Sequence, residues 1–450
     1  MNAAAVAKAM LHPRAIYITA AALLIPYLAL YAHHLAQNLH TPPGDDYPIH
    51  VYFALQAREN PLAIATTPET YPSLVHLLGL LTPDPLALGR IYAAYGALLI
   101  AAGALLYAAY FAQATGRRAA ALAGAVVVVG SVRTLAGITD GQIADKTVLL
   151  VVVPLSLLLY AKGRPAAAVV ALAPAAFINY LGLAYAAALA VAYAIYGGKR
   201  ARIALAALAL AGAALFTHKL TAAAQLAAYA DQPPPAPWDP LWGLVYAFYG
   251  PSAPLLAAVA AYVALKTKKT APLALAALIV LAAGLASPQY GERLMRIASL
   301  MLPAAAVGGL LEAGRGRAAA LVLATYLAGP AAAGWAWATG HLDGLYAYVQ
   351  RLTPDKLYAY QQALKALPPH SNVQVMWQLD LWLVPLAKAQ RPDLNVTAVA
   401  CVWTPAQYYV YTPPDPRQWY MPCTLAAGPP PGREIARWGE TTLYEGPGGS

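Results

Sequence analysis

Two adjacent carboxylates, Asp45 and Asp46, follow the turn sequence Pro42-Pro43-Gly44, and His50 comes four residues after the second. On a helix, Asp46 and His50 would share one face. Carboxylates so placed can act as a general base or hold a metal ion. They can equally cap the start of a helix, where the dipole favours negative charge. Both readings stay open from these residues alone. Pro48 suits a first helical turn. The stretch "DDYPIHVYFALQAREN" therefore reads as an amphipathic helix lying along a membrane surface, apolar side down. "YPSLVHLLGLL" follows it and brings a second histidine, His76.

The elements that must position these groups are mostly apolar. The 450 residues are 60% hydrophobic and only 11% charged, where soluble domains carry about 25% charge; mean hydropathy is +0.52. This is the composition of a polytopic α-helical membrane protein. Residues 15–32 are uncharged and as long as a bilayer crossing requires. No small-residue cleavage site follows them and further spans do, so they read as an uncleaved first helix rather than a signal peptide.

The net charge of +10 reflects topology and does not indicate nucleic acid. Basic clusters punctuate the apolar runs: Lys8 and Arg14; Arg117 and Arg118; Lys162 and Arg164; Lys199, Arg200 and Arg202; Lys266, Lys268 and Lys269; Arg315 and Arg317. Cytoplasmic loops are enriched in Lys and Arg. Placing all six inside leaves only one acid there, Glu312, and gives +13 inside against −3 outside. About eleven spans follow, near 15–35, 87–114, 118–133, 147–161, 165–178, 181–197, 202–218, 251–265, 271–286, 294–312 and 318–338. The N-terminus lies in the cytoplasm and the C-terminus outside. Transmembrane residues 1–339, with a first outer loop at 36–86, precede an extracytoplasmic α/β domain at 340–450.

Outer charges concentrate in few places. The first loop holds Asp45, Asp46, Arg58, Glu59, Glu69 and Asp84; "SVRTLAGITDGQIADK" holds Arg133, Asp140, Asp145 and Lys146. A third loop carries Lys219, and a fourth, "SPQYGERLMR", carries Glu292, Arg293 and Arg296, the last already within a helix. Ionisable groups at membrane depth usually line a cavity or pathway.

Beyond residue 340 the pattern changes. "DKLYAYQQALKALPP" and "LDLWLVPLAKAQ" have helical periodicity, "NVQVMW" and "LNVTAVACVW" read as strands, and "REIARWGETTLYEG" as a closing hairpin. Cys401 and Cys423 are the only cysteines. On the oxidising side of a membrane they are expected to form a disulfide, since metal binding needs more ligands. Asn395-Val396-Thr397 is a glycosylation sequon, but it falls within a predicted strand.

A first span, an outer loop opening on an acidic pair, and then "YPSLVHLL" together resemble the GT-C glycosyltransferases, polytopic enzymes that use polyprenyl-phosphate sugars outside the cytoplasm. "YGERLMRIASLMLPAAAVGGLL" is similar to the family's late segment, in which an arginine precedes a helix with a proline and small residues. The WWDxG-type signature of the oligosaccharyltransferase branch is absent. The resemblance implies a sugar leaving a polyprenyl phosphate for a glycan, lipid or protein acceptor. Asp45 or Asp46 would take the acceptor's proton. The departing phosphate needs cations: Arg293 by the late-segment match, and Arg133, Lys146, Lys219 or Arg296 by position, each of which can instead be a side chain snorkelling to the interface. His50 and His76 are either ligands for metal or substrate, or simply hydrogen-bonded in place. Glu69 and Asp140 are further carboxylates that could complete a site for a divalent cation, Mg or Mn, with the aspartate pair, though nothing in the spacing establishes one. Two other classes remain, a transporter or flippase using the same charges as a path, and a non-catalytic scaffold whose aromatic tail "QYYVYTPPDPRQWYMP" contacts a partner.

Overall fold

The computed structural model describes residues 18–19, 21–44, 46–62, 64, 73–211, 252–287, 291–340, 351–399, 402–415 and 422–447, and for Arg133, Asp140, Glu292 and Cys423 the backbone alone. Asp45, Glu69, Lys219 and Cys401 lie outside the described residues.

The N-terminal part is a bundle of apolar helices. Four of those described are long and apolar enough to cross a bilayer: Pro85–Thr115, Ile143–Ala161, Arg293–Glu312 and Gly316–Ala336. Five more, such as Ala120–Val129 and Ala271–Ala286, are apolar but shorter. Among the described residues, helices thus occur where spans were expected, but only these four are long enough to cross, not eleven. Residues 165–178 show the reason: the helix Pro165–Val170 ends after six residues and gives way to a 3-10 turn, Ala173–Phe177. Burial ranks the helices. The most apolar stretch of Arg293–Glu312 is 89% buried residues and forms the bundle's axis, while that of Pro85–Thr115 is 33% buried, the helix being lined on one side by buried residues from Leu88 to Ala114 and partly exposed on the other. Between apolar helices in lipid, close packing of small residues supplies the attraction, and the axial helix meets its neighbours through Ala298, Ala304, Ala305 and Ala306, all fully buried.

Two predicted loops are in fact helical. The segment "SVRTLAGITDGQIADK" forms the helix Val132–Asp140, a glycine turn at Gly141, and the start of a new helix at Ile143. That helix passes through a π-helical turn, Val148–Val152, before resuming α geometry to Ala161. The first outer loop contains the expected helix, Tyr47–Glu59. Its apolar side is packed inside the protein, however. Tyr47, His50, Val51, Ala54 and Leu55 are buried, because the helix packs against Pro85–Thr115, the 3-10 segment Leu74–Leu81 and the C-terminal domain. Gly79 makes the second contact possible: a Cβ there would collide with the Ala54 carbonyl.

The C-terminal domain is a five-stranded mixed sheet flanked by helices. Its strands are β1 (Asn372–Met376), β2 (Asn395–Val399), β3 (Tyr408–Tyr411), β4 (Arg433–Trp438) and β5 (Thr441–Glu445), in the order β2-β1-β3-β5-β4. β1 is parallel to β2 and β3, and β5 is antiparallel to β3 and β4. The helix Pro354–Ala366 and the closing hairpin fall where the periodicity put them. "LDLWLVPLAKAQ" is not one helix; it breaks at Leu381–Trp382 into Trp377–Asp380 and Leu383–Gln390. Tyr408–Tyr411, expected as part of an exposed contact tail, is the middle strand, with Tyr409 and Val410 fully buried. Asn395 opens β2 and its amide donates to Asn372 Oδ1 at 2.9 Å, which ties up the sequon nitrogen.

The domain holds the acidic turn in place. Arg351 donates to Asn38 Oδ1 (2.8 Å) and to the Thr41 carbonyl (3.0 Å), Leu352 N donates to the Pro42 carbonyl (3.0 Å), and Trp382 Nε1 donates to the Pro43 carbonyl (2.8 Å). A Lys388–Glu59 ion pair at 2.8 Å is exposed enough to add at most about 1 kcal/mol.

Candidate functional site

The turn that carries Asp46 is fastened from below as well. Asn38 Nδ2 donates to the Thr139 carbonyl at 2.9 Å, and Tyr47 OH reaches the Ile138 carbonyl at 3.2 Å. Asp46 thereby sits over the end of the helix Val132–Asp140. Gly141 follows at φ 101°, a conformation that L side chains rarely adopt, and its absent Cβ would lie 2.8 Å from Tyr47 N. Gly141→Ala should therefore be destabilising by about 1–2 kcal/mol from backbone handedness alone, with further loss as Tyr47 and Asp46 are displaced. Thermal unfolding in detergent together with turnover would measure both; parental values for each would show that the turn does not set the carboxylate.

Asp46 occupies the position before the helix Tyr47–Glu59, yet its carboxylate makes no capping hydrogen bond. It has αR backbone angles, φ −84° and ψ −20°, which point the side chain away from the first-turn amides. The capping account of this residue thus fails on geometry. Four charged groups act on the carboxylate instead. Burial raises its pKa from the ordinary carboxylate value to about 6; Arg293 opposes that rise, Asp145 adds to it, and Arg296 and Lys146 oppose it. Arg293 and Arg296 stand three residues apart at the start of the axial helix, Arg293 exposed and Arg296 partly so. Lys146 is fully buried and bonded to Asp145 at 2.8 Å, so it reaches Asp46 through its field rather than as an open ligand. The pair lies one turn before the π-helical segment Val148–Val152, a distortion found frequently at functional sites.

The two histidines form a closed chain. Ser73 N, an obligatory donor, points at His76 Nδ1 (2.8 Å), so that nitrogen accepts. The proton of neutral His76 then lies on Nε2, which faces His50 Nδ1 at 2.9 Å. His50 in turn donates to the Gly141 carbonyl. Burial lowers the pKa of His50 to about 4 and that of His76 well below the usual imidazole value, the latter helped by His50. Both rings are neutral and every ring nitrogen is engaged, so neither is placed to bind a metal or a substrate. Their work is to lock the helix Tyr47–Glu59 to the 3-10 segment and to the Gly141 turn. Among the described residues no three His, Cys, Asp or Glu side chains come together in a way that could hold a metal ion.

Of the residues proposed from sequence, then, the fold gathers Asp46, Arg293, Arg296 and Lys146 around one point. Arg133 and Asp140 are on the helix beneath it. Asp145 was not singled out as a site residue. The available signal was an acid next to a lysine at the start of an apolar helix, where an ionisable group has to have a partner. Arg351 and Trp382, which secure the turn, carry no local signal at all. No family model matches the chain, and no curated protein or solved structure matches it either.

Proposed function

We propose that the chain is a multi-pass membrane glycosyltransferase of GT-C type, moving a sugar from a polyprenyl-phosphate donor to an acceptor hydroxyl on the extracytoplasmic side. One observation carries this reading: a carboxylate not used as a helix cap, with its pKa raised to about 6, lies in the field of two arginines that begin the most buried span. A base poised near the working pH is the effective kind. The acceptor oxygen attacks the anomeric carbon, Asp46 takes its proton, and the bond from that carbon to the phosphate oxygen breaks with the electron pair leaving on the lipid phosphate. Arg293 and Arg296 offset the charge that develops there. Asp45 is the neighbouring candidate for the same role, and Arg133 and Lys219 are further candidates for the phosphate. A divalent cation is not needed for this scheme. The test is mass spectrometry of surface glycans and lipid-linked sugars with and without the gene; unchanged profiles in both pools would overturn the proposal.

The shorter apolar helices complete the membrane domain beside the four long ones, with the N-terminus cytoplasmic and the sheet domain outside. Lys365→Cys, on an exposed turn of the helix Pro354–Ala366, should react with a membrane-impermeant thiol reagent in intact cells, whereas Lys162→Cys should not. In the same preparations Cys401 and Cys423 should be joined, seen as two hydrogens missing in the denatured, non-reduced mass. The reverse labelling pattern with two free thiols would invert the sidedness.

A further inference from the structure

The sheet domain carries a cleft that sugar transfer at Asp46 does not use. It is an open cleft where β1 and β2 begin and where residues 404–407 lead into β3, with a volume of about 440 Å³, within the usual range of small-molecule sites. Its polar lining is Asn372, Gln374, Asn395, Thr397, Thr404 and Gln407, without one charged side chain.

The amides are hydrogen-bonded to one another and to the backbone. Gln374, 3% exposed, accepts from Thr404 N at 2.8 Å and donates to Thr404 Oγ1. Gln407 Oε1 accepts from Asn372 N at 2.8 Å, and Asn395 Nδ2 donates to Asn372 Oδ1 across the β1–β2 pair. Each of these bonds uses one end of an amide. The other end, NH₂ in Asn372 and Gln407 and carbonyl in Asn395, has capacity for a ligand. Preorganised groups of this kind lose little entropy on binding. The cleft is at the start of β1, and none of its lining residues is among those that hold the acidic turn, which include Trp382 beyond the end of β1.

The lining selects a ligand class. Without a cation it does not suit phosphate or carboxylate, and without carboxylate or imidazole it does not suit a metal. Hydroxyls both donate and accept, which suits alternating amide donors and acceptors, while Pro405 and Pro447 offer flat apolar edges to sugar C–H faces. We propose that this cleft binds a short neutral oligosaccharide, as a carbohydrate site separate from Asp46. The inference stands whether or not the bundle transfers sugar.

The test uses the intact protein in detergent and saturation-transfer NMR titrations with maltotriose, mannotriose and triacetylchitotriose, beside trigalacturonic acid and a triglutamine peptide. At least one neutral trisaccharide should bind saturably with Kd near or below about 1 mM. Asn395→Ala and Gln407→Ala, both at exposed positions, should each weaken it about tenfold, and Asp46→Asn should not change it. The proposal is overturned if no neutral trisaccharide saturates by about 10 mM. It is equally overturned if the peptide or the acidic trimer binds as tightly, or if both variants, folded by circular dichroism, bind like the parent. Loss of transfer in Asp46→Asn with saccharide binding intact would separate this site from the reaction centre.

Discussion

Asp46→Asn should lower turnover by about 10²-fold or more, the usual scale for loss of a general base, while leaving donor-lipid binding close to that of the parent. The substitution keeps size and much of the hydrogen bonding and removes the charge that the two arginines face. A cap would behave otherwise, since asparagine caps about as well as aspartate, but Asp46 makes no capping bond to lose. The pH profile gives a second readout. With the pKa near 6, the basic form prevails above that pH, so kcat/KM should climb as pH rises through about 6 and then level; the variant's residual activity should lack that limb. Stability runs the opposite way. A carboxylate whose folded pKa is raised contributes its full share below the unfolded value of 3.8, and the fold loses that share as pH rises through 6. At neutral pH the asparagine variant should therefore be no less stable than the parent. Full activity in Asp46→Asn, Asp45→Asn and the double variant would rule out the pair as the base.

The largest effect on stability is expected at Asp145 and Lys146. The lysine side chain is 0% exposed and its aspartate partner 12%. Asp145→Asn strands a buried ammonium, and Lys146→Met strands a nearly buried carboxylate; each should cost about 3–5 kcal/mol, the scale for breaking a buried pair by removing one partner. The combined Asp145→Leu/Lys146→Met variant should recover most of that loss, because burying two apolar groups in place of a pair is often neutral. Denaturant unfolding in detergent would measure all three. If the single variants each lose less than about 1 kcal/mol, the range of solvated surface pairs, the pair is not shielded as described. The double variant has a further use: it removes one charge that raises the Asp46 pKa and one that lowers it, so any change in catalytic pH profile should be small compared with its change in stability.

Much of this protein was legible because the signals were local. Apolar runs bounded by Lys and Arg mark helices whatever they later pack against, since a segment's own composition decides whether it leaves water. The hairpin Arg433–Glu445 and strand β1 announce themselves by alternation and turn residues, and the acidic pair stands out against its surroundings. What the residues could not decide was which groups meet. Tyr408–Tyr411 looks like an exposed aromatic tail until β1 and β5 bracket it, because a strand's burial depends on neighbours 30 or more residues away in the chain. His50 and His76 carry the look of ligands, and only their mutual bond, closed by Ser73 and Gly141, fixes them as neutral struts. The pKa of Asp46 is the extreme case. It is set by burial and by Arg293, some 247 positions along the chain, with Asp145, Arg296 and Lys146. Desolvation and Coulomb energy depend on distance through space, and that distance exists only in the folded chain, where Asn38 and Tyr47 bind the turn to the helix Val132–Asp140 and Arg351 and Trp382 hold it from the sheet domain.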